Sequence, residues 1–265
     1  MAEPDRDLDH LPRFDKPPVA EVAIGIEFLP LPALTVVPLV ELRSVWKEAY
    51  PNIEEQPAIR RAPSSGFPFP QLGFEVSVGI PPIRIWLLSQ DRSELLQIQN
   101  DRLILNWRAH FGGTYPHYHQ LEPRFLDSWQ RFREEIVERS LGELRPITAE
   151  VTYINRLVLE QDETLFDALS IFARDAPLRN AEPSVQLSTD LIASDGTPFG
   201  QQTISAVRSP DQSEEVQLTL VARVAISHEE DQAIEAALRR AHAVAVTSFA
   251  DVTTPKMHQR WERTE

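Results

Sequence analysis

From Val19 to Phe28 apolar and polar positions alternate. Val22, Ile24, Ile26 and Phe28 fall on one side, with Glu21, Ala23, Gly25 and Glu27 on the other. A period of two predicts a strand with one buried face. Pro30 and Pro32 end it, and Pro38 suits the first turn of a helix in which Leu39, Leu42, Trp46 and Ala49 follow at helical spacing. A Pro- and Ser-rich loop over 57–70 carries the apolar tip Phe67-Pro68-Phe69. Strands are predicted over 74–78, 83–90, 94–99 and 102–108, the last two joined by a two-residue turn at Asn100-Asp101. On the last of these, Leu103, Leu105 and Trp107 share one face, while Ile104, Asn106 and Arg108 share the other. Residues 110–121 read as a loop. A helix over 123–139 follows, with Phe125, Trp129, Phe132 and Ile136 in one stripe and Gly142 just past its end.

The chain then repeats this plan. Ala149-Glu150-Val151 echoes Ala20-Glu21-Val22 and opens a strand carrying Val151, Tyr153, Asn155, Leu157 and Leu159 on one face. Asp162 is positioned to cap a short helix, strands are predicted over 185–193, 202–208 and 216–227, and Ser227 with Glu230 forms a capping-box pattern before the final helix. There Ile234, Leu238, Ala241, Ala245, Phe249 and Val252 form the apolar stripe. These elements predict an α+β protein built from two similar strand–helix–antiparallel strands–helix halves related by a pseudo-twofold axis. In element order the plan is TATA-binding-protein-like or helix-grip-like. The expected division is a flexible acidic tail over 1–16, a first half over 17–145 and a second over 146–265, the halves together forming one unit.

Composition narrows the chemistry. The 265 residues suffice for a large core, and the absence of Cys removes disulfides, thiolate metal sites and cysteine nucleophiles. The formal net charge of −14 repels phosphate backbones, so nucleic-acid binding is not expected. The polar, acidic N-terminus is unlike a signal peptide and no run of residues suits a membrane span, so the expected setting is the cytoplasm. The 9 Gly form no nucleotide-binding loop, and no Gly-x-Ser-x-Gly or His-Glu-x-x-His motif occurs. No cofactor is therefore expected.

A set of motifs occurs in fixed order: Pro17-Pro18-Val19-Ala20-Glu21-Val22, Gln97-Ile98-Gln99-Asn100-Asp101-Arg102, Asn106-Trp107-Arg108, Tyr115-Pro116-His117-Tyr118 and Glu150-Val151-Thr152-Tyr153-Ile154-Asn155. With the closing helix through Ser248-Phe249 to Trp261, the set resembles a sporadically distributed, uncharacterised bacterial family of about this length. The resemblance implies a single functional unit across nearly the whole chain and no established activity. Where that family carries a basic residue between Pro and the second Tyr, this chain has His117.

Several residues are candidates for function. Asn106 and Arg108 share a strand face and, on a cleft, would orient and clamp a carboxylate or phosphate; the simpler reading is an ion pair and a loop contact. Asn155 interrupts an apolar face, so its amide joins either a structural link or, with Tyr153, a pocket. Phe67 and Phe69 suit a partner's surface or a lid on the core, and Arg156 faces away to meet a partner. His117 and His119 form a His-x-His pair, weak as a metal site because further ligands are lacking nearby. The expectation is a non-enzymatic interaction or regulatory protein that offers its sheet to a protein partner, with homodimerisation through a sheet edge as an option. The alternative is a small-ligand-binding protein or hydrolase with a cavity between sheet and helices, using Asn106, Arg108, Tyr153 and Asn155.

Overall fold

The computed structural model describes residues 11–59, 83–109, 114–172, 184–208, 214–227 and 230–264. The alternating segments become the strands β1 (Val19–Phe28), β2 (Asn52–Pro57), β3 (Ile83–Leu88), β4 (Glu94–Gln99), β5 (Arg102–Arg108), β6 (Pro146–Val158), β7 (Val185–Ile192), β8 (Pro198–Arg208) and β9 (Glu215–Ala225). The helices are α1 (Val36–Trp46), α2 (Tyr118–Glu138), α3 (Leu165–Ala168), α4 (Asp231–Val252) and α5 (Pro255–Arg260). All nine strands form one sheet in the order β2-β3-β4-β5-β1-β6-β9-β8-β7, each neighbouring pair antiparallel. The result is an α+β arrangement. No helix among the described residues is long and apolar enough to cross a membrane.

Register decides what the two faces carry. In β1, Val22 lies opposite Trp107 of β5 and Tyr153 of β6, whereas Ala23 lies opposite Asn106 and Thr152. Directly opposed residues point to the same side of a sheet. Val22, Trp107 and Tyr153 therefore share the face on which α2 and α4 pack. There Phe28 meets Trp129 and Phe132 of α2 at ring distances of 6.1 and 5.5 Å. The α2 stripe Phe125, Trp129, Phe132 and Ile136 is buried, as is the α4 stripe Ile234, Leu238, Ala241, Ala245, Phe249 and Val252. The opposite face is polar yet well paired. Asn106 donates to Glu21 (2.6 Å), Gln97 donates to Asn106 (2.6 Å), and Trp86 donates to Gln97 (3.0 Å).

Several element boundaries differ from the sequence reading. α2 begins at Tyr118, so the expected loop over 110–121 is helical from 118 and Pro123 lies inside the helix. A proline lacks one backbone donor, and this near a helix start the loss is a single hydrogen bond, outweighed by burial of Tyr118 and Leu121. α3 is capped at Thr164, whose backbone N–H and hydroxyl both donate to Asp167, and not at Asp162. α4 starts after Glu230 without a side-chain cap, so Ser227 and Glu230 form no capping box. Ala49 lies exposed beyond the end of α1. β2 is a strand that the Glu-rich sequence did not signal. The predicted strand over 74–78 lies outside the described residues.

The segment 11–16 is not a flexible tail. Asp15 and Lys16 donate backbone hydrogen bonds to the carbonyls of Glu262 and Trp261, and Thr264 donates to that of Arg13. Phe14 anchors this strap with its ring 5.4 Å from Phe249 and 6.3 Å from Trp261. A single aromatic residue in a charged stretch is a weak periodic signal but a strong packing one.

Gly200 in β8 lies opposite Val224 of β9, and a Cβ there would stand 2.1 Å from the backbone carbonyl oxygen of Arg223. That oxygen is held by the ladder and cannot move aside. Gly200→Ala is therefore expected to lower stability by about 1–3 kcal/mol, read as an earlier urea midpoint.

Candidate functional site

Between the α4 end of the helical layer and the sheet lies a cleft of about 710 Å³. Helical spacing builds its ceiling: Arg239, His242, Ala245, Val246 and Phe249 recur along one face of α4. Because Ala245 stops at Cβ, space remains between His242 and Phe249. The floor is β6, whose Tyr153 and Asn155 point to the same side two residues apart. One wall is the strap around Phe14; the other is the Tyr115 loop with the first turn of α2.

The polar groups of the cleft form a ladder. The Tyr115 and Tyr153 hydroxyls lie 3.2 Å apart, and the Tyr153 hydroxyl shares a hydrogen bond with Nδ1 of His242 at 3.1 Å. The Tyr118 ring stacks on the His242 ring with centroids 3.8 Å apart and planes within 2°. Burial holds His242 down at about 3, so the imidazole is neutral. Burial also pushes the Tyr115 phenol up to about 12 and that of Tyr153 well above its ordinary value, so both keep their protons. The order of protons along the two tyrosines then determines whether Nε2 of His242 donates or accepts. Nε2 has no protein partner among the described residues and opens on the cleft.

At the outer end, Arg239 pairs with Glu122 (3.1 Å) and with Glu235 (3.3 Å). Burial raises the Glu122 carboxyl despite Arg239, and the nearby Tyr118 phenol is raised by its own burial and then by Glu122. Its hydroxyl forms no well-aligned hydrogen bond. His117 and His119 stand exposed at the mouth, rings 5.9 Å apart. No group of three or more metal-ligating side chains occurs among the described residues, so this pair lacks the further ligands a metal needs.

The sheet separates the other residues singled out by sequence. Tyr153 and Asn155 line the cleft, while Asn106 and Arg108 lie on the opposite face. There Arg108 donates to the carbonyl of Arg92 (3.0 Å) and lies over the Trp86 ring at 5.7 Å. The four therefore do not form one site, because Asn106 and Tyr153 fall on opposed sides of the β1 register. Arg156 sits on that other face too, half-exposed and 3.2 Å from Glu215. Phe67 and Phe69 lie outside the described residues. Sequence reasoning missed His242, although its place beside the stripe of Leu238, Ala241 and Ala245 marks a polar residue at the edge of a buried helix face. Arg239 and the site role of Tyr118 were missed for the same reason: only the tertiary fold brings them to β6. Comparison with protein-family models, with curated proteins and with solved structures gave no match.

His117 adopts φ 57° and ψ 156°, a region open mainly to glycine and costing about 1–3 kcal/mol for other residues. Its exposed ring returns little of that. His117→Gly is expected to leave thermal stability unchanged or raised; a clear fall in the melting temperature would show that the imidazole outweighs the strain. The low pKa of His242 sets a second expectation. Between about 3 and the ordinary 6.5 the unfolded chain binds a proton at this position that the folded protein refuses. Stability is thus full above pH 6.5 and falls as pH drops through this window, by at most about 1.4 kcal/mol per pH unit. His242→Gln should flatten that part of the stability–pH curve relative to the unsubstituted protein.

Proposed function

We propose that this is a small-ligand-binding protein whose ligand occupies the cleft between β6, α4 and the strap. The observation that carries the reading is a volume of about 710 Å³ into which two side chains from different elements, Asn155 and His242, bring polar atoms without protein partners. Such cavities run to about 300–1,000 Å³, mostly apolar with a few convergent polar groups. Binding is favoured over hydrolysis. Nδ1 of His242 meets a tyrosine hydroxyl and not a carboxylate, so the ring is oriented but a developing imidazolium would lack a counter-charge.

The strand order supports a duplicated origin for the halves 17–145 and 146–265, with a pseudo-twofold axis between β1 and β6. Each of these strands is flanked on its outer side by the last long strand of its own half, β5 or β9. On this reading the plan is helix-grip-like or TATA-binding-protein-like, with the cleft lined by residues of both halves and of the strap. The protein-partner reading keeps one specific support. Val36, Val37 and Val40 lie exposed on one side of α1, an apolar surface that a partner could cover.

A thermal-shift screen against carboxylates, nucleotides, lipids and small aromatic compounds tests the ligand reading. At least one compound should raise the melting temperature, and the gain should vanish in Val246→Phe, which fills the cleft from α4. No stabilisation by any compound, or an equal gain in Val246→Phe, would overturn it.

A further inference from the structure

Asn155 holds the key to what the cleft accepts. Its side chain is 2 % exposed, and its Nδ2 donates to the carbonyl of Leu218 at 3.3 Å. That bond fixes the amide orientation, because the flipped form would set two oxygens against each other. Oδ1 has no protein partner among the described residues and is not sealed off, so it stays accessible at the floor of the cleft. A guest that covered this acceptor without offering it a donor would forfeit about 1–3 kcal/mol. A guest reaching the floor therefore gains by bringing an N–H or O–H to Oδ1.

The surroundings decide the rest. The cleft is also lined by the rings of Phe14 and Phe249, 5.4 Å apart, and by the stacked Tyr118–His242 pair. Flat apolar walls suit a flat apolar guest. Among the described residues, the charged side chains lining the cleft are Arg13, Asp15, Glu122 and Arg239. His242 and the tyrosines are neutral, Arg239 is shared between Glu122 and Glu235, and Arg13 and Asp15 are exposed to solvent. An ionised group pushed to the floor would lose its water without gaining a counterion.

Resting on the ligand-binding reading above, we propose that the cleft selects an uncharged aromatic or heteroaromatic ring carrying an N–H donor, which hydrogen-bonds to Oδ1 of Asn155 and packs against the rings that line the cleft. His242 Nε2 is the second contact, and it adapts to a donor or an acceptor on the same ring through the proton order of Tyr115 and Tyr153. The proposal makes Asn155 the specificity residue and leaves the phenylalanines as shape.

Three probes of similar outline separate the contributions: indole, neutral with an N–H; benzofuran, neutral without one; and indole-3-carboxylate, which keeps the N–H but is charged. Affinities are measured by ligand-observed NMR titration on the full chain, with Asn155→Leu and Val246→Phe as variants. Indole should bind about tenfold tighter than either of the others, the range expected when one buried acceptor is satisfied or left unpaired. Asn155→Leu should bring indole and benzofuran level. If that variant does not fold, the indole–benzofuran ratio on the unsubstituted protein decides alone. Benzofuran binding as tightly as indole, or the carboxylate binding tightest, overturns the proposal. If none of the three binds while another compound is held by the unsubstituted protein and lost in Val246→Phe, the aromatic-donor proposal falls and ligand binding in the cleft stands. If the probes bind Val246→Phe undiminished, ligand binding in the cleft falls as well.

Discussion

The pairing of β1 with β6 is the constraint on which the rest of the structure depends. A strand's side chains alternate, so a slip of one residue in this ladder would exchange the contents of the two faces along the middle of the sheet. With Val22 opposite Tyr153, the apolar positions of β1 and β6 meet α2 and α4 together. Glu21, Glu27 and Glu150 are carried to the other side. There Glu27 and Asp101 flank Arg102, and Glu150 lies 2.6 Å from Arg223. Any shift in register would bury these charges under helices, at a cost far above what a slipped ladder could return. The acidic residues thus enforce the register as firmly as the apolar ones.

Within that frame the cleft is a place where the helical layer fails to close. α2 covers β1 and β5 with aromatic rings, and α4 covers β6 and β9 with small ones. Alanines at 237, 241, 245 and 250 let α4 lie close to the sheet, but they fill little volume where it passes over Tyr153 and Asn155. The polar groups gathered there are neutral because they are buried, not because they lack ionisable chemistry. This matters for the character of the site: an imidazole and two phenols without charge make a surface read by shape and hydrogen bonding, and only weakly by long-range electrostatics.

Much of this was legible in the sequence. Strict alternation located β4 and β5 to the residue, the Asn100-Asp101 turn joined them, and the stripes of α2 and α4 identified their buried faces. Those signals are local and repeat over several turns or pleats. What was not legible depended on single residues or on distance. Phe14 docks a segment otherwise written in charges, and Pro123 read as a helix start when Tyr118 and Leu121 supply enough burial to begin it earlier. The site was half visible: Tyr153 and Asn155 were picked out because a polar pair on an apolar strand needs a reason. Asn106 and Arg108 fall on the other face, which one strand's alternation does not reveal because it does not say how that strand registers against another. His242 arrives from 89 residues further along the chain than Tyr153, and no pattern within a window reaches that far.

The strap has a further consequence. Residues 13–16 are stitched to 261–264 by backbone hydrogen bonds, so two stretches at opposite ends of the described chain share one short antiparallel contact beside the cleft. The two described stretches are joined by a few hydrogen bonds and one phenylalanine. A contact fastened in this way is a seam. Neither stretch belongs to the nine-stranded sheet, so breaking these few bonds would unpair no central strand. On the ligand-binding reading, a guest would reach the cleft most simply by parting this seam, where 13–16 meets 261–264.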